Sequence, residues 1–447
     1  MRLVTLAFDS IDSIDAGCTT HFASLLLLKL RGRVKLADLP LLVRLNPAIP
    51  WKTRGNASVA LRLYYDGRLE ELLDETVELA EEYSGDRELY GITVASGAPW
   101  RDPDFRRLYE KSLTSVVPVD VAVELAERKR VLWSGGRGVV GALAALAALA
   151  DREDYTFELV AYRKPEEWGS ERCVREGLAA ALLEEELPPC VFNNYDPLTG
   201  ELTAAPRGYD PVLAGFRGDC YESLPAYSRL LCEEPSFWTL YRSNQHTDAH
   251  AKPLEGRLYP YESGYVRGVV VDAEVLPGSH TVVEIETSDG RVDAVFYRET
   301  FPMNRVAAEL RRGDKVAVYG SVRPYKPRGR VVLASEKLVV ESIARRVIQA
   351  NPRCPLCGSR LESSGAGKKL RCRNCRYVAR DQAKIEIEVE TTVLPAVYTP
   401  RPGRLRHLVA PPSRRPRLDY ELPLEPLSVE DVVSRTPPKP PLVKHRV

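Results

Sequence analysis

No stretch of this chain is both long and apolar enough to span a membrane. The best, Val139 to Ala150, is Ala-rich and falls well short of the roughly 20 residues required. The opening Met1-Arg2-Leu3 lacks the separate charged and apolar regions of a secretory leader, so a cytoplasmic protein is expected. Net charge is scarce too: 63 basic residues against 62 acidic leave +1, which rules out a uniformly basic nucleic-acid binder. The glycine-rich turn around Gly136 is followed by no Gly-Lys-Ser/Thr, which excludes a P-loop. Acidic residues vanish between Thr391 and Leu418, where Arg401, Arg404, Arg406, Arg414, Arg415 and Arg417 collect. That stretch suits a phosphate backbone.

What is present is a 447-residue chain, 44% hydrophobic, with length for about three domains that each bury a core. Cys18, Cys173, Cys190, Cys220 and Cys232 are scattered and odd in number, and read as reduced thiols. Cys354, Cys357, Cys372 and Cys375 differ: two Cys-x-x-Cys knuckles stand fourteen residues apart. Four thiolates so spaced close a tetrahedral zinc site, and a closed site is structural rather than catalytic. So small a lobe has almost no core, and the metal supplies on the order of 10 kcal/mol of its folding energy.

The stretch that organises the rest begins as an apolar strand, Leu3 to Phe8, and turns polar at Asp9, Asp12 and Asp15, before Gly17, Thr19 and Thr20. An apolar helix, Phe22 to Lys29, follows, with Thr19 or Thr20 placed to cap it. Carboxylates offer magnesium hard oxygen ligands, and a helix N-terminus favours phosphate. Between strands Leu41–Leu45 and Val59–Tyr65 lies a loop, Asn46 to Asn56, whose Lys52 and Arg54 suit phosphate contact. The segment Gly135-Gly136-Arg137-Gly138 lets backbone approach a ligand, with Arg137 for its charge.

Further on, strand Tyr155–Tyr162, helix Glu171–Leu187, strand Pro211–Phe216, helix Cys220–Cys232 and strand Ser236–Arg242 are expected. Arg217 and Asp219 stand at one strand end, and the polar run Ser243 to His250 follows another. His246 and His250 lack a third ligand at fixed spacing, so that run reads better as a substrate site than as a zinc site. From about 262 to 345, five alternating strands with a helix at Asn304–Arg312 give the layout of an OB-fold. One of its loops gathers Arg323, Lys326, Arg328 and Arg330 around Tyr325, a mixture that suits RNA. Ala383 to Val393 alternates as one more strand, and Leu427 to Ser434 reads as a short helix in an otherwise unpacked proline- and arginine-rich tail, mobile over its last twenty residues.

The order of these segments resembles the archaeal tRNA agmatidine synthetase family. Its signature, roughly Gly-Ile-Asp-Asp-Thr-Asp-Ser then Gly-x-Cys-Thr-Thr-Tyr, is met here by Asp9, Asp12, Ser13, Gly17, Cys18, Thr19 and Thr20. Ser10, Ile11 and His21 depart from it. Asn46-Pro-x-Ile-Pro-Trp-Lys-Thr-Arg-Gly-Asn56, the Gly-Gly-Arg-Gly run and Asn244-Gln245-x-Thr247-Asp248-x-His250 match further family segments.

The resemblance implies a multidomain α+β protein. Its parts are a kinase-like α/β domain (1–150), a ferredoxin-like domain (151–255), the OB-fold (262–345), the zinc ribbon (350–393) and a basic segment (394–447). It implies ATP-dependent attachment of agmatine to carbon 2 of the wobble cytidine of the minor isoleucine tRNA (CAU anticodon), releasing AMP and pyrophosphate. The cytidine oxygen is first phosphorylated, since a carbonyl oxygen is otherwise a poor leaving group, and the amine then displaces that phosphate. On this reading Asp9 and Asp12 hold magnesium and Thr19 is an autophosphorylated threonine. Lys52, Arg54, Gly136 and Arg137 contact ATP, while Asp219, Asn244, Gln245, Asp248 and His250 contact substrate. ATP, Mg2+ and structural Zn2+ are the implied cofactors; no membrane and no obligate protein partner is expected. The rival reading is an OB-fold and zinc-ribbon protein that holds single-stranded nucleic acid, with an inactive amino-terminal half.

Overall fold

The computed structural model describes residues 1–12, 17–52, 55–83, 88–206, 208–325, 330–364, 369–379 and 383–442. At its centre is β1 (Arg2–Asp9), whose Val4, Leu6, Ala7 and Phe8 are wholly buried. A strand apolar on both faces needs cover on both. Helix α1 (Thr19–Lys29) follows, then β2 (Val34–Leu36), β3 (Leu41–Arg44), β4 (Ala57–Tyr65), α2 (Leu69–Tyr83) and β5 (Gly91–Ser96). Helices α3 (Pro103–Thr114) and α4 (Val119–Arg128) lead to β6 (Leu132–Gly135) and α5 (Val139–Ala145). The strands β7 (Thr156–Tyr162), β8 (Val212–Gly218) and β9 (Phe237–Ser243) complete this part, with α6 (Leu178–Glu186) after β7.

All nine strands join one sheet, in the order β6-β5-β1-β4-β3-β9-β7-β8 with β2 on β4; a tenth, Val433–Ser434, pairs with β9. The two halves meet through a short parallel pairing of β3 with β9, Leu41 opposite Arg242 and Leu42 opposite Ser243. The sheet therefore runs through the boundary expected near residue 150. Apolar α5 lies across β1, β4 and β5 with α3 and α4 packed on it. Two buried guanidiniums brace the seam: Arg62 and Arg242 both bind Asp38, at 2.8 and 2.6 Å. Tyr420 donates to the other oxygen of Asp38 at 2.6 Å.

Three local expectations are corrected. Helix α6 starts only at Leu178, because Cys173 is bonded to Cys232 and Val174 bridges Leu231, which holds the chain extended. The segment Tyr221–Leu230 is a 3-10 helix with Pro225 inside it, since proline cannot donate an α-helical hydrogen bond. The scattered thiols are not all reduced: Cys173–Cys232 and Cys190–Cys220 are disulfides, with Cα atoms 5.3 and 5.7 Å apart. Chain folding around β8 and β9 brings together cysteines that no local spacing relates. Loops of 59 and 30 residues make each bond worth about 3–4 kcal/mol on the chain-entropy model.

The second body is a closed barrel of β10 (Ser263–Leu276), β11 (His280–Thr287), β12 (Gly290–Phe296), β13 (Lys315–Tyr325) and β14 (Arg330–Ser342), with α7 (Met303–Ala308) between β12 and β13. Parallel pairing of Ala294–Val295 with Leu333–Ala334 closes it. Three short paired strands between Glu362 and Ala379 follow the first cysteine pair, Cys354 and Cys357, and carry the second, Cys372 and Cys375. Ser13, Asp15, Lys326, Arg328 and Lys368 lie outside the described residues.

The carboxyl-terminal stretch is packed, contrary to expectation. Leu408, Val409, Leu427, Val429, Val432 and Val433 are buried in the main core. Leu427 to Ser434 forms no helix; Leu427 bridges Leu36 and Val433 pairs with Thr239. Among the described residues no helix is long and apolar enough to cross a membrane.

Candidate active site

β1 delivers Asp9 to the edge of a cavity of about 290 Å³, opposite Ser58 on β4 and Gly91 on β5. Ser58 donates to Oδ2 of Asp9 at 2.7 Å and Ser10 to Oδ1 at 3.1 Å. Burial pushes the Asp9 carboxyl up to about 6 against those two hydrogen bonds, and the charge of Asp12 adds to the rise. Ser10 holds φ +56°, a left-handed turn that lets the chain leave the strand. Gly141 of α5 faces the same carboxylate: a Cβ there would overlap Oδ2 of Asp9.

Lys52, Ser112 and Arg137 line this cavity as well. Lys52 donates to the carbonyl of Pro47, and burial followed by the charges of Arg406 and Arg323 lowers its ammonium to about 8. Gly136 has another task. Its amide donates to Tyr90 O at 2.7 Å, and a side chain there would strike the Glu88 carbonyl. Arg54 lies outside the described residues.

Asp12 and Thr19 line a second cavity, of about 340 Å³. Asn56 lies in the wall of both. Neither threonine caps α1, whose N-cap is Cys18 without a side-chain bond. Instead the Thr19 hydroxyl donates to Asp12 at 3.3 Å, and Tyr83 accepts the Cys18 amide at 3.0 Å. The rest of this wall was not foreseen as a site: Arg44, Glu158, Asp210 and His407 stand there beside Arg217. Glu158 sits mid-strand in Thr156-Phe-Glu-Leu-Val, and Arg44 ends Leu41-Leu-Val-Arg. A charge inside an apolar strand is the signal that marks them, since such residues are rarely buried without purpose.

The five residues expected to touch substrate line neither cavity. Asn244 clamps the backbone of Arg44, donating to its carbonyl at 2.9 Å and accepting its amide at 2.7 Å. Gln245 accepts Nε of Arg44 at 3.0 Å and donates to Glu158. Asp248 pairs with Lys337 of the barrel and accepts the Ala410 amide at 2.8 Å. His250 meets Glu336 at 3.2 Å. Asp219 is bound by Arg414 at 3.0 Å, and burial raises its carboxyl to about 6. Asp219 and Asp248, the two carboxylates among the expected substrate contacts, thus hold cations of this chain and line neither cavity.

The four cysteines of the ribbon converge, their Sγ atoms all within 4.8 Å of one another. A ZnS4 tetrahedron with bonds of about 2.3 Å needs edges near 3.8 Å, so the set fits zinc. Lys369, Arg371, Arg373 and Arg376 are exposed around it. Among the tail arginines, Arg404, Arg406 and Arg415 are exposed, whereas Arg401 pairs with Asp196 and Arg414 with Asp154 and Asp219.

Known proteins share this arrangement. Family profiles match residues 5–72 as a TiaS TCKD domain, 136–250 as a TiaS FLD domain and 351–392 as a TiaS C-terminal zinc ribbon domain. The isoleucine-tRNA 2-agmatinylcytidine synthetase TiaS of Acidilobus saccharovorans is 44% identical over 97% of this chain and 99% of its own. A crystal structure of TiaS in complex with its isoleucine tRNA and ATP superposes with a TM-score of 0.81 at 30% identity, over 93% of this chain and 98% of that one. The complex of TiaS with the same tRNA, AMPCPP and agmatine gives 0.79 at 28% identity, with the same coverage. Identity of 44% over nearly the whole length, with three family profiles matched in order, shows that the chain belongs to the TiaS family, the isoleucine-tRNA 2-agmatinylcytidine synthetases.

Proposed function

We infer that this chain is a cytoplasmic, ATP-dependent ligase that joins agmatine to carbon 2 of the wobble cytidine of the minor isoleucine tRNA, releasing AMP and pyrophosphate. One observation carries the assignment of steps to places: two cavities share the wall residue Asn56, one offering Lys52 and Arg137 to phosphate and the other three carboxylates. Asp9 and Asp12 suit magnesium, because Asp9 is a desolvated carboxyl that resists ionising beside a second acid until a cation offsets the charge. The bound ion would supply charge stabilisation as phosphoryl transfer proceeds. Thr19, hydrogen-bonded to Asp12 in the wall of the second cavity, suits the role of phosphoryl carrier.

Agmatine's guanidinium needs a carboxylate, and a two-oxygen partner holds it in a planar fork. Asp12, Glu158 and Asp210 stand in the second cavity, and we assign that role to Asp210 and Glu158 in place of Asp219 and Asp248. Arg172 meets Asp210 at 3.4 Å and Arg217 meets Glu158 at 3.3 Å, both long contacts that a forked ligand can displace. Asn244, Gln245, Asp248 and His250 then act behind the site. The first parts of the sheet correspond to a kinase-like unit (1–150) and a ferredoxin-like unit (151–255), and the barrel to an OB-fold (262–345). The ribbon (350–393), with its exposed basic residues, and the segment 394–447 hold the tRNA. The target base must leave its stack to reach Asn56. A pure nucleic-acid-binding role is not favoured, since it gives no task to two adjoining polar cavities.

The test is incubation of the protein with ATP, magnesium, labelled agmatine and the isoleucine tRNA transcript. Label is expected at the wobble base only when ATP is present. RNA binding without transfer or AMP release would show the inactive alternative.

A further inference from the structure

The second cavity holds one group that recognition of agmatine does not require. Agmatine is a dication, yet Arg44 presents its terminal guanidinium nitrogens to this cavity with no hydrogen bond or ion pair among the described residues. The side chain is firmly placed. Asn244 grips its backbone on both sides, Gln245 holds Nε, and Gly55 leaves the room that its guanidinium occupies. Beside it stands His407, whose ring nitrogens also take no hydrogen bond from any described residue. The same polar run holds this histidine: the His246 amide donates to His407 O at 2.7 Å and the Asp248 amide to Leu408 O at 2.8 Å. One segment, residues 244–248, therefore fixes Arg44 on one side and His407 on the other.

Arg44 has no ion pair of its own, though the charge of Glu158 reaches it, and a cation so placed beside an ammonium favours the neutral amine, which alone has a lone pair to attack with. We propose that His407 is the proton acceptor for the incoming primary amine, and that Arg44 keeps that amine and the imidazole in their uncharged forms. This rests on the synthetase reading above. The agmatine ammonium gives a proton to a ring nitrogen of His407. Its nitrogen then forms the bond to carbon 2 of the phosphorylated cytidine, and the carbon–oxygen bond breaks with its electron pair going to phosphate. The second N–H proton passes to the departing phosphate, which leaves as hydrogen phosphate, so the new carbon–nitrogen centre is uncharged.

The charge of Arg44, followed by burial and the charges of Arg217, His246 and Arg406, holds the His407 imidazole well below its usual range. Asp12, Glu158 and Asp210 face the same space from the opposite sign, and Glu158 is paired with Arg217 at 3.3 Å. The field that weakens His407 as a base also acidifies the ammonium, so the ordinary gap between an ammonium at about 10.4 and an imidazole at about 6.5 is not widened, and the uphill transfer is drawn forward as the amine attacks.

The full-length protein with the isoleucine tRNA transcript, ATP, magnesium and agmatine tests this across pH 6 to 9.5, with AMP release and agmatine incorporation read separately. His407→Gln is expected to slow incorporation roughly 10²–10⁴-fold while AMP release stays within about threefold. Arg44→Met is expected to lose incorporation at neutral pH and recover it in alkali, where the amine is neutral without help. His407→Ala with added imidazole should regain part of the lost incorporation. Incorporation within about threefold of the parent in His407→Gln, or a parallel loss of AMP release, overturns the proposal. If the unaltered protein incorporates no agmatine, the synthetase reading fails instead.

Discussion

The two cavities are built in different ways. The one around Asp9 takes its polar groups from strand-end turns that also read as turns in the chain: Asp9-Ser10, the Pro-Trp-Lys loop and the glycine run to Gly141. The one around Thr19 takes Arg44, Glu158, Asp210, Arg217 and His407 from separate stretches, three of them in or at the end of sheet strands. A phosphate site is made largely by backbone that comes close, and close backbone leaves glycines and prolines behind. A site for a flexible diamine is made by side chains whose neighbours in sequence are simply core.

If the cavities divide the reaction as proposed, damage should divide as well. The largest effect is expected at Asp9→Asn, with AMP release falling at least about 10³-fold through loss of charge at the phosphates. The same change should stabilise the ligand-free protein. The Asp9 carboxyl ionises near 3.8 when unfolded and near 6 when folded. Below 3.8 it is protonated in both states, and as pH rises to 6 and beyond the fold increasingly resists its charge. The ligand-free protein therefore loses about 3 kcal/mol across that window, and Asp9→Asn should remove the loss in thermal melts at pH 4 and 7. Next, Gly141→Ala should push Asp9 aside and cost about 10²-fold in AMP release. Equal damage to agmatine binding would break the division.

Asp210→Asn sharpens it from the other side. Agmatine KM should rise roughly 10- to 100-fold, the value of one charge-assisted pair, with AMP release kept. Cys357→Ser should release zinc and weaken tRNA binding while both cavities keep their steps; undiminished affinity would remove the ribbon from the grip. The smallest effect on chemistry is expected on reducing Cys173–Cys232 and Cys190–Cys220. Stability should fall by about 3–4 kcal/mol for each bond lost, and both partial reactions at moderate temperature should be unchanged.

The helices, strands and ribbon were legible where period and spacing are local: β1, the barrel strands and the four ribbon cysteines all stand where the chain alone places them. The disulfides were not, because Cys190 meets Cys220 only after β8 is paired. The tail misled for the opposite reason. Its proline- and arginine-rich sequence reads as an unpacked, phosphate-binding tail, yet Arg414 is buried between Asp154 and Asp219, and Tyr420 reaches Asp38. Asn244 to His250 stand out in the chain by polarity but not by their contacts: polarity beside a strand marks a segment that must hydrogen-bond, and it does not say to what.

The strap that carries His407, Tyr420 and Val433 crosses both halves of the sheet and is held by the seam between them. A ribosome-held chain that has emerged only as far as the zinc lobe already contains every residue lining the Asp9 cavity but still lacks His407 in the wall of the other. If the cavities divide the reaction as proposed, synthesis itself orders the chemistry: ATP has a place to sit before the amine does, and the finished strap is what first allows an activated base to be consumed.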